Sequence, residues 1–245
     1  MYRLTKFTLR EMTECGAALR KLGAGAASME EVANRMVSYF YNQFRDEETG
    51  ESAFALVRLF KTHACGDLPF DLQQIARQTL GTDTVSPEMK CLTLLATAGD
   101  RPEWNSRTAS TGHQAIPLPS EEMVTQAPMI SQLIYQLGLT ISNILAPDPE
   151  LLMNLQERTY NVFHIPQAQG SPYIPAQDVF VRPFQIQSVL GFGGMLPSGN
   201  LVAIILFSKL PIQRETAELF KPLSLNARMA VLPFDQNTIF TTTTV

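Results

Sequence analysis

Gln185–Gly194 (QIQSVLGFGG) and Leu201–Lys209 (LVAIILFSK) flank the segment Met195-Leu-Pro-Ser-Gly-Asn200. Two apolar runs bounded by Gly, Pro and Asn read as the strands of a hairpin buried in a sheet. A helix beginning near Gln213 follows at once, carrying Ala217, Phe220 and Leu223. Pro222 lies inside that pattern and predicts a kink or an end there. Gly191-Phe-Gly-Gly194 is not a phosphate loop, because no Lys-Ser/Thr follows it and no helix opens on it. A close-packed strand end is the simpler reading.

Upstream, Met29, Val32, Ala33, Met36, Val37, Phe40 and Phe44 recur at helical spacing, which predicts a helix over Ser28–Phe44. Ser28 and Glu31 form a capping-box pattern at its start. Before it, Met12, Cys15, Leu19 and Leu22 step by three and four, like a short helical seam, and Gly23-Ala-Gly25 breaks the chain. The seam predicts that residues 1–27 form a dimerisation or docking helix, with folding back onto the protein's own sheet as the alternative.

Strands are expected at Ala53–Lys61 (AFALVRLFK), Cys91–Thr97, Asn161–Ile165 and Asp178–Val181. Helices are expected at Phe70–Leu80, at Glu121–Ile144 with an interruption at Pro128, and at Glu150–Arg158. Arg101–Pro119 and Pro166–Gln177 show neither period and read as irregular. Long irregular stretches attached to a well-patterned domain are more often functional than accidental. The tail, Phe234–Val245, reads as an edge strand or as unstructured.

A net charge of -4, with no cluster of Lys or Arg, argues against binding nucleic acid. The longest apolar run, Leu201–Phe207, is too short to span a bilayer, and the first ten residues lack the apolar core of a secretory signal. Three widely spaced cysteines make no disulfide framework and suggest a reducing, cytoplasmic setting.

The order of elements resembles the GAF family of ligand-binding sensor domains over Ser28 to Leu232. The residues that carry the resemblance are the capped helix at Ser28-Met-Glu-Glu-Val-Ala33, then Ile186-Gln-Ser-Val-Leu190, Gly199–Phe207 and the helix after Pro211. It implies an α+β fold with an antiparallel sheet flanked by helices, a helical N-terminal extension over 1–27, a sensory domain over 28–234 and a tail over 235–245. It further implies a pocket over one sheet face and a non-enzymatic sensory or regulatory role, with the signal passing through helix packing to a protein partner or across a homodimer. Signatures of the chromophore- and cyclic-nucleotide-binding members are absent, so ligand and cofactor stay open. The segment Gly99–Pro183 is longer than a compact member needs.

Candidate ligand-binding residues lie in the two irregular stretches. Arg101-Pro-Glu-Trp-Asn-Ser-Arg107 gathers the only tryptophan with arginines, a carboxylate and an amide. Trp104, Asn105 and Arg107 could clamp a small anion or aromatic group by stacking and bidentate hydrogen bonds, or the loop could simply be pinned by its own tryptophan. His113 shares that loop, and Tyr173 and Arg182 come from the second loop, taken as far as Pro166–Arg182. His113, His164 and Cys65 are weak metal-ligand candidates, which leaves a haem or metal sensor as one alternative. Another is an enzyme similar to the GAF-fold free methionine-R-sulfoxide reductases, using cysteines among Cys15, Cys65 and Cys91. Only Cys65, beside His63 and Gly66, has a setting that would lower a thiol pKa. No catalytic set is nominated.

Overall fold

Both faces of the predicted hairpin are apolar, so both must be covered, and the computed structural model, which describes residues 1–148 and 161–241, shows by what. Along the chain lie β1 (Tyr2–Arg3), α1 (Leu9–Lys21), α2 (Met29–Gln43), β2 (Phe44–Arg45), β3 (Phe54–Ala64), α3 (Phe70–Leu80) and β4 (Lys90–Gly99). Next come β5 (Ala115–Leu118), α4 (Glu121–Thr125), α5 (Pro128–Gln136), α6 (Ile141–Leu145) and β6 (Phe163–Ile165). The hairpin strands β7 (Ser188–Met195) and β8 (Leu201–Ser208), then α7 (Arg214–Glu218) and α8 (Lys221–Val231), complete the series. Among the described residues, six strands form one antiparallel sheet in the order β5-β4-β3-β8-β7-β6, an α+β arrangement.

The hairpin runs in unbroken register from Ser188 opposite Ser208 to Met195 opposite Leu201. Its turn closes when the Leu196 N–H donates to the Asn200 carbonyl at 2.8 Å, with Gly199 at φ +76°, a conformation that favours glycine. Gly193 serves packing: a β-carbon there would collide with the Val202 carbonyl oxygen of the neighbouring strand.

One face of the sheet is covered by α1, α2 and α8, drawn from the two ends of the chain. Phe40 stacks on Phe44 at 5.8 Å and meets Phe192 of β7 edge-on at 5.5 Å, and Phe220 reaches Phe192 at 5.7 Å. Each such fully buried side chain contributes about 1.5–3 kcal/mol relative to leaving it exposed. The seam read on α1 is filled from within the same chain: Cys15 and Leu19 are fully buried, and Gly16 lets Asn226 of α8 approach. Residues 1–27 are therefore part of the helical layer, with Arg3 and Lys6 tied to Glu47 at 2.5 and 2.7 Å.

The opposite face is roofed by α4, α5 and α6 together with irregular backbone from residues 101–114 and 166–187. Gln177 braces the second of these, donating to the carbonyls of Ala168 and Ile174 at 3.0 and 2.9 Å and accepting from the Gly170 N–H at 2.8 Å. α3 packs over a smaller cluster around Cys65, Leu72 and Cys91.

Several elements differ from expectation for physical reasons. Arg101–Pro119 contains β5, whose short Ala-Ile-Pro-Leu run hides a strand. Pro117 is tolerated because β5 is the sheet edge. Asp178–Val181 is not a strand: Gln177–Val181 is one wide helical turn that returns the chain to β7. Glu121–Ile144 divides into three helices, with Pro128 opening α5, Gly138 at φ +82° following it and Thr140 capping α6. Pro222 ends nothing: it sits in the first turn of α8, where its missing N–H has no partner to lose. Ser28 caps α2 by accepting from the Glu31 N–H at 3.1 Å, but the Glu31 carboxylate reaches the Ala27 N–H at 2.8 Å, one residue beyond a capping box. The tail is neither an edge strand nor loose over its described part. Thr238 and Ile239 carbonyls accept from the Met29 and Glu30 N–H groups at 3.0 and 2.8 Å, satisfying the first turn of α2. The helix expected at Glu150–Arg158 lies outside the described residues.

Candidate functional site

The roofed face holds a cavity of about 480 Å³. Its floor is β3, β4 and β8, through Leu56, Phe60, Leu92 and Ile205. α5 supplies one wall, and Trp104 and Phe180 the other. Trp104 lies 5.6 Å from Phe180 and 4.5 Å from Phe184, and Phe180 meets Phe207 of β8 edge-on at 5.0 Å. This aromatic wall ties both irregular stretches to the sheet. The volume and apolar lining suit a small organic molecule.

One charge sits in the cavity's floor. Arg58 occupies the middle of β3, opposite Thr97 of β4 and Ile205 of β8, and is only 9 % exposed. Its Nη2 donates to Ser110 Oγ at 3.2 Å, while its Nε–H has no hydrogen-bond partner. Burial pulls its pKa down to about 10, and no carboxylate among the described residues counters the shift. The Thr97 hydroxyl, on the same face by cross-strand pairing, is also buried without a partner. Buried polar groups are ordinarily satisfied, so the unpartnered Arg58 Nε–H marks this part of the floor, while Thr97 lies outside the cavity lining.

The predicted site residues divide sharply. Trp104 and His113 line the cavity, with His113 Nδ1 2.9 Å from the Thr111 carbonyl. Partial burial, and then the Arg58 charge, hold the His113 imidazole below its ordinary pKa, so it is neutral near pH 7. Asn105 is a brace: its side chain donates to the Gly99 carbonyl and accepts from the Gly99 N–H, both at 3.0 Å. Arg107 is committed elsewhere, its Nε donating to Glu30 of α2 at 2.6 Å and its guanidinium lying over the Phe240 ring at 5.1 Å. Arg182 pairs with Asp178 at 2.7 Å in solvent, and Tyr173 lies outside the lining.

The metal candidates do not converge. His164, in β6, donates from Nε2 to the Ile212 carbonyl at 2.9 Å, while Cys65 lies under α3 and His113 at the cavity. Among the described residues, no group of three His, Cys, Asp or Glu side chains is placed to hold a metal ion. Burial pushes the Cys15 and Cys91 thiols up to about 12, which keeps both protonated and unreactive at neutral pH. No helix among the described residues is long and apolar enough to cross a membrane.

Arg58 is the residue that loop-centred reasoning missed. The available signal was a charge at the centre of the apolar run AFALVRLFK, since a charged side chain in a central strand must find either a partner or a use. No protein-family model matches the chain, and no curated protein matches it.

Proposed function

We propose that the protein is a non-enzymatic sensory module of GAF-like type that holds a small, largely apolar molecule between the sheet and its irregular roof. The observation that carries this reading is the cavity of about 480 Å³, apolar on nearly all sides, with one buried and incompletely bonded arginine in its floor. A ligand gains about 0.8 kcal/mol for each methylene it removes from water there.

The loop that lines the cavity also reaches the helical face. Glu103, Trp104, Ser110 and His113 line the site, while Arg107, within the same loop, grips Glu30 in the first turn of α2. Glu30 in turn accepts from the Thr241 N–H at 2.9 Å. A ligand that settles the loop therefore favours one arrangement of α2 and the C-terminal tail. Such differential binding is the requirement for a shift in population. A protein partner, or a second copy of the chain, would read that arrangement on the helical side.

The test uses the neutral apolar dye Nile red and amide hydrogen exchange. One dye should bind per chain, quench Trp104 emission and slow exchange at Met29 and Glu30. Filling the floor with Ile205→Trp should abolish binding while leaving the fold intact. Absence of dye binding to the unmodified protein would refute the cavity reading. Binding without any change at α2 would refute the signalling route.

A further inference from the structure

Granting that the cavity is a binding site, we infer that its ligand is an apolar molecule bearing a single carboxylate, docked on the Arg58 guanidinium with the Ser110 hydroxyl beside it. Arg58 lines the cavity, is 9 % exposed, and keeps an Nε–H with no partner. A buried guanidinium cannot shed its proton at neutral pH, so its charge must be met by an anion or remain a standing cost. Among the described residues the protein supplies none. Glu103, the carboxylate among the lining residues, has a 54 % exposed side chain and lies 3.7 Å from Arg101 Nε, at the solvent side.

The chemistry of the anion follows from what surrounds Arg58. A neutral carbonyl could accept from Nε–H but would leave the positive charge uncompensated in an apolar site. A carboxylate meets both needs, and its two oxygens match the planar fork of the guanidinium. Ser110 Oγ, already accepting from Arg58, retains its own proton to donate to the second oxygen. A doubly charged headgroup fits less well: among the described lining residues Arg58 is the single Lys or Arg, and Glu103 adds repulsion at the mouth. The remaining floor and walls, Leu56, Phe60, Ile116, Met129, Leu133 and Phe180, are apolar and fit a hydrocarbon or aromatic body.

Matched pairs test this assignment: decanoate against decanamide, and 2-naphthoate against 2-naphthamide, titrated calorimetrically, with decyl phosphate as a third headgroup. In at least one body type the acid should bind about tenfold or more tighter than its amide, the scale of one charge-assisted hydrogen bond. Arg58→Met should erase that preference while still binding the amide, and Arg58→Lys should restore only part of it. Equal affinities of acid and amide, with Nile red still bound, would overturn the carboxylate assignment and leave the cavity reading standing. Failure of every probe, Nile red included, would overturn both. Decyl phosphate binding as tightly as decanoate would overturn the single-charge assignment. Should Arg58→Met not fold, the acid–amide comparison in the unmodified protein decides alone, and Ser110→Ala should weaken the acid but not the amide.

Discussion

Arg58 and Lys61 stand three residues apart on β3 and face opposite sides of the sheet. Both are buried cations, yet among the described residues only one has a counter-charge. Lys61, 1 % exposed beneath the helical face, lies 3.7 Å from Asp235. That carboxylate is fixed by the Ser198 hydroxyl at 2.6 Å and the Ser198 N–H at 2.9 Å. Burial lowers the Lys61 pKa to about 8, with the Asp235 charge opposing the shift. Arg58 has no such carboxylate among the described residues, and burial alone accounts for its fall to about 10. A buried cation held by the protein's own acid belongs to the fold, and one left facing a cavity points to something outside the chain.

Removing the acid is the most disruptive change. Asp235→Ala leaves Lys61 buried and alone and should cost about 3–5 kcal/mol in urea unfolding. Titrating the base has the next largest effect. Between pH 8 and 10.5 the unfolded chain still holds the Lys61 proton that the folded chain has released, so stability rises with pH across that window. The Lys61 share of this rise is up to about 3 kcal/mol, obtained by subtracting the profile of Lys61→Met. Below pH 8 the lysine is charged in both states and its contribution is flat.

The opposite sign is expected at Arg58. Replacing an uncompensated buried charge by an apolar side chain of similar length should stabilise the ligand-free protein, by about 1–2 kcal/mol for Arg58→Met in thermal or urea unfolding. A loss of several kcal/mol would mean that Arg58 is a structural residue like Lys61. The smallest effect belongs to the link between the two faces: Arg107→Gln should cost about 1 kcal/mol, speed amide exchange at Met29 and Glu30 and remove the slowing of that exchange by Nile red.

Local signals carried much of the architecture. The turn at Met195–Asn200, the cap at Ser28 and the periodicity of Phe70–Leu80 each depend on neighbouring residues, and the hairpin, α2 and α3 follow them. Where a signal was local but ambiguous, as at Pro222, the first-turn tolerance of proline resolved it. β5 escaped because an edge strand can be short and can carry a proline, which removes the alternation that reveals strands. The site was legible only in outline. Its roof was expected from irregular composition, and Trp104 and His113 do line it. Arg107 and Asn105 share their loop and chemistry, and only distant partners, Glu30 on α2 and Gly99 at the end of β4, decide that they brace the structure. Arg58 was hidden for the complementary reason: it sits in the best-patterned strand, and its meaning depends on the absence of an acid, among the described residues, across a face assembled from β3, β4, β8 and α5.

Nuclear magnetic resonance of the Arg58 side chain in nitrogen-15-labelled protein reports whether this guanidinium receives the ligand. On saturation with decanoate or 2-naphthoate, the Arg58 Nε–H resonance should move downfield and exchange with water more slowly, while the matching amide leaves it near its ligand-free position. A resonance that ignores both acid and amide, although both demonstrably occupy the cavity, would show that Arg58 does not receive the ligand.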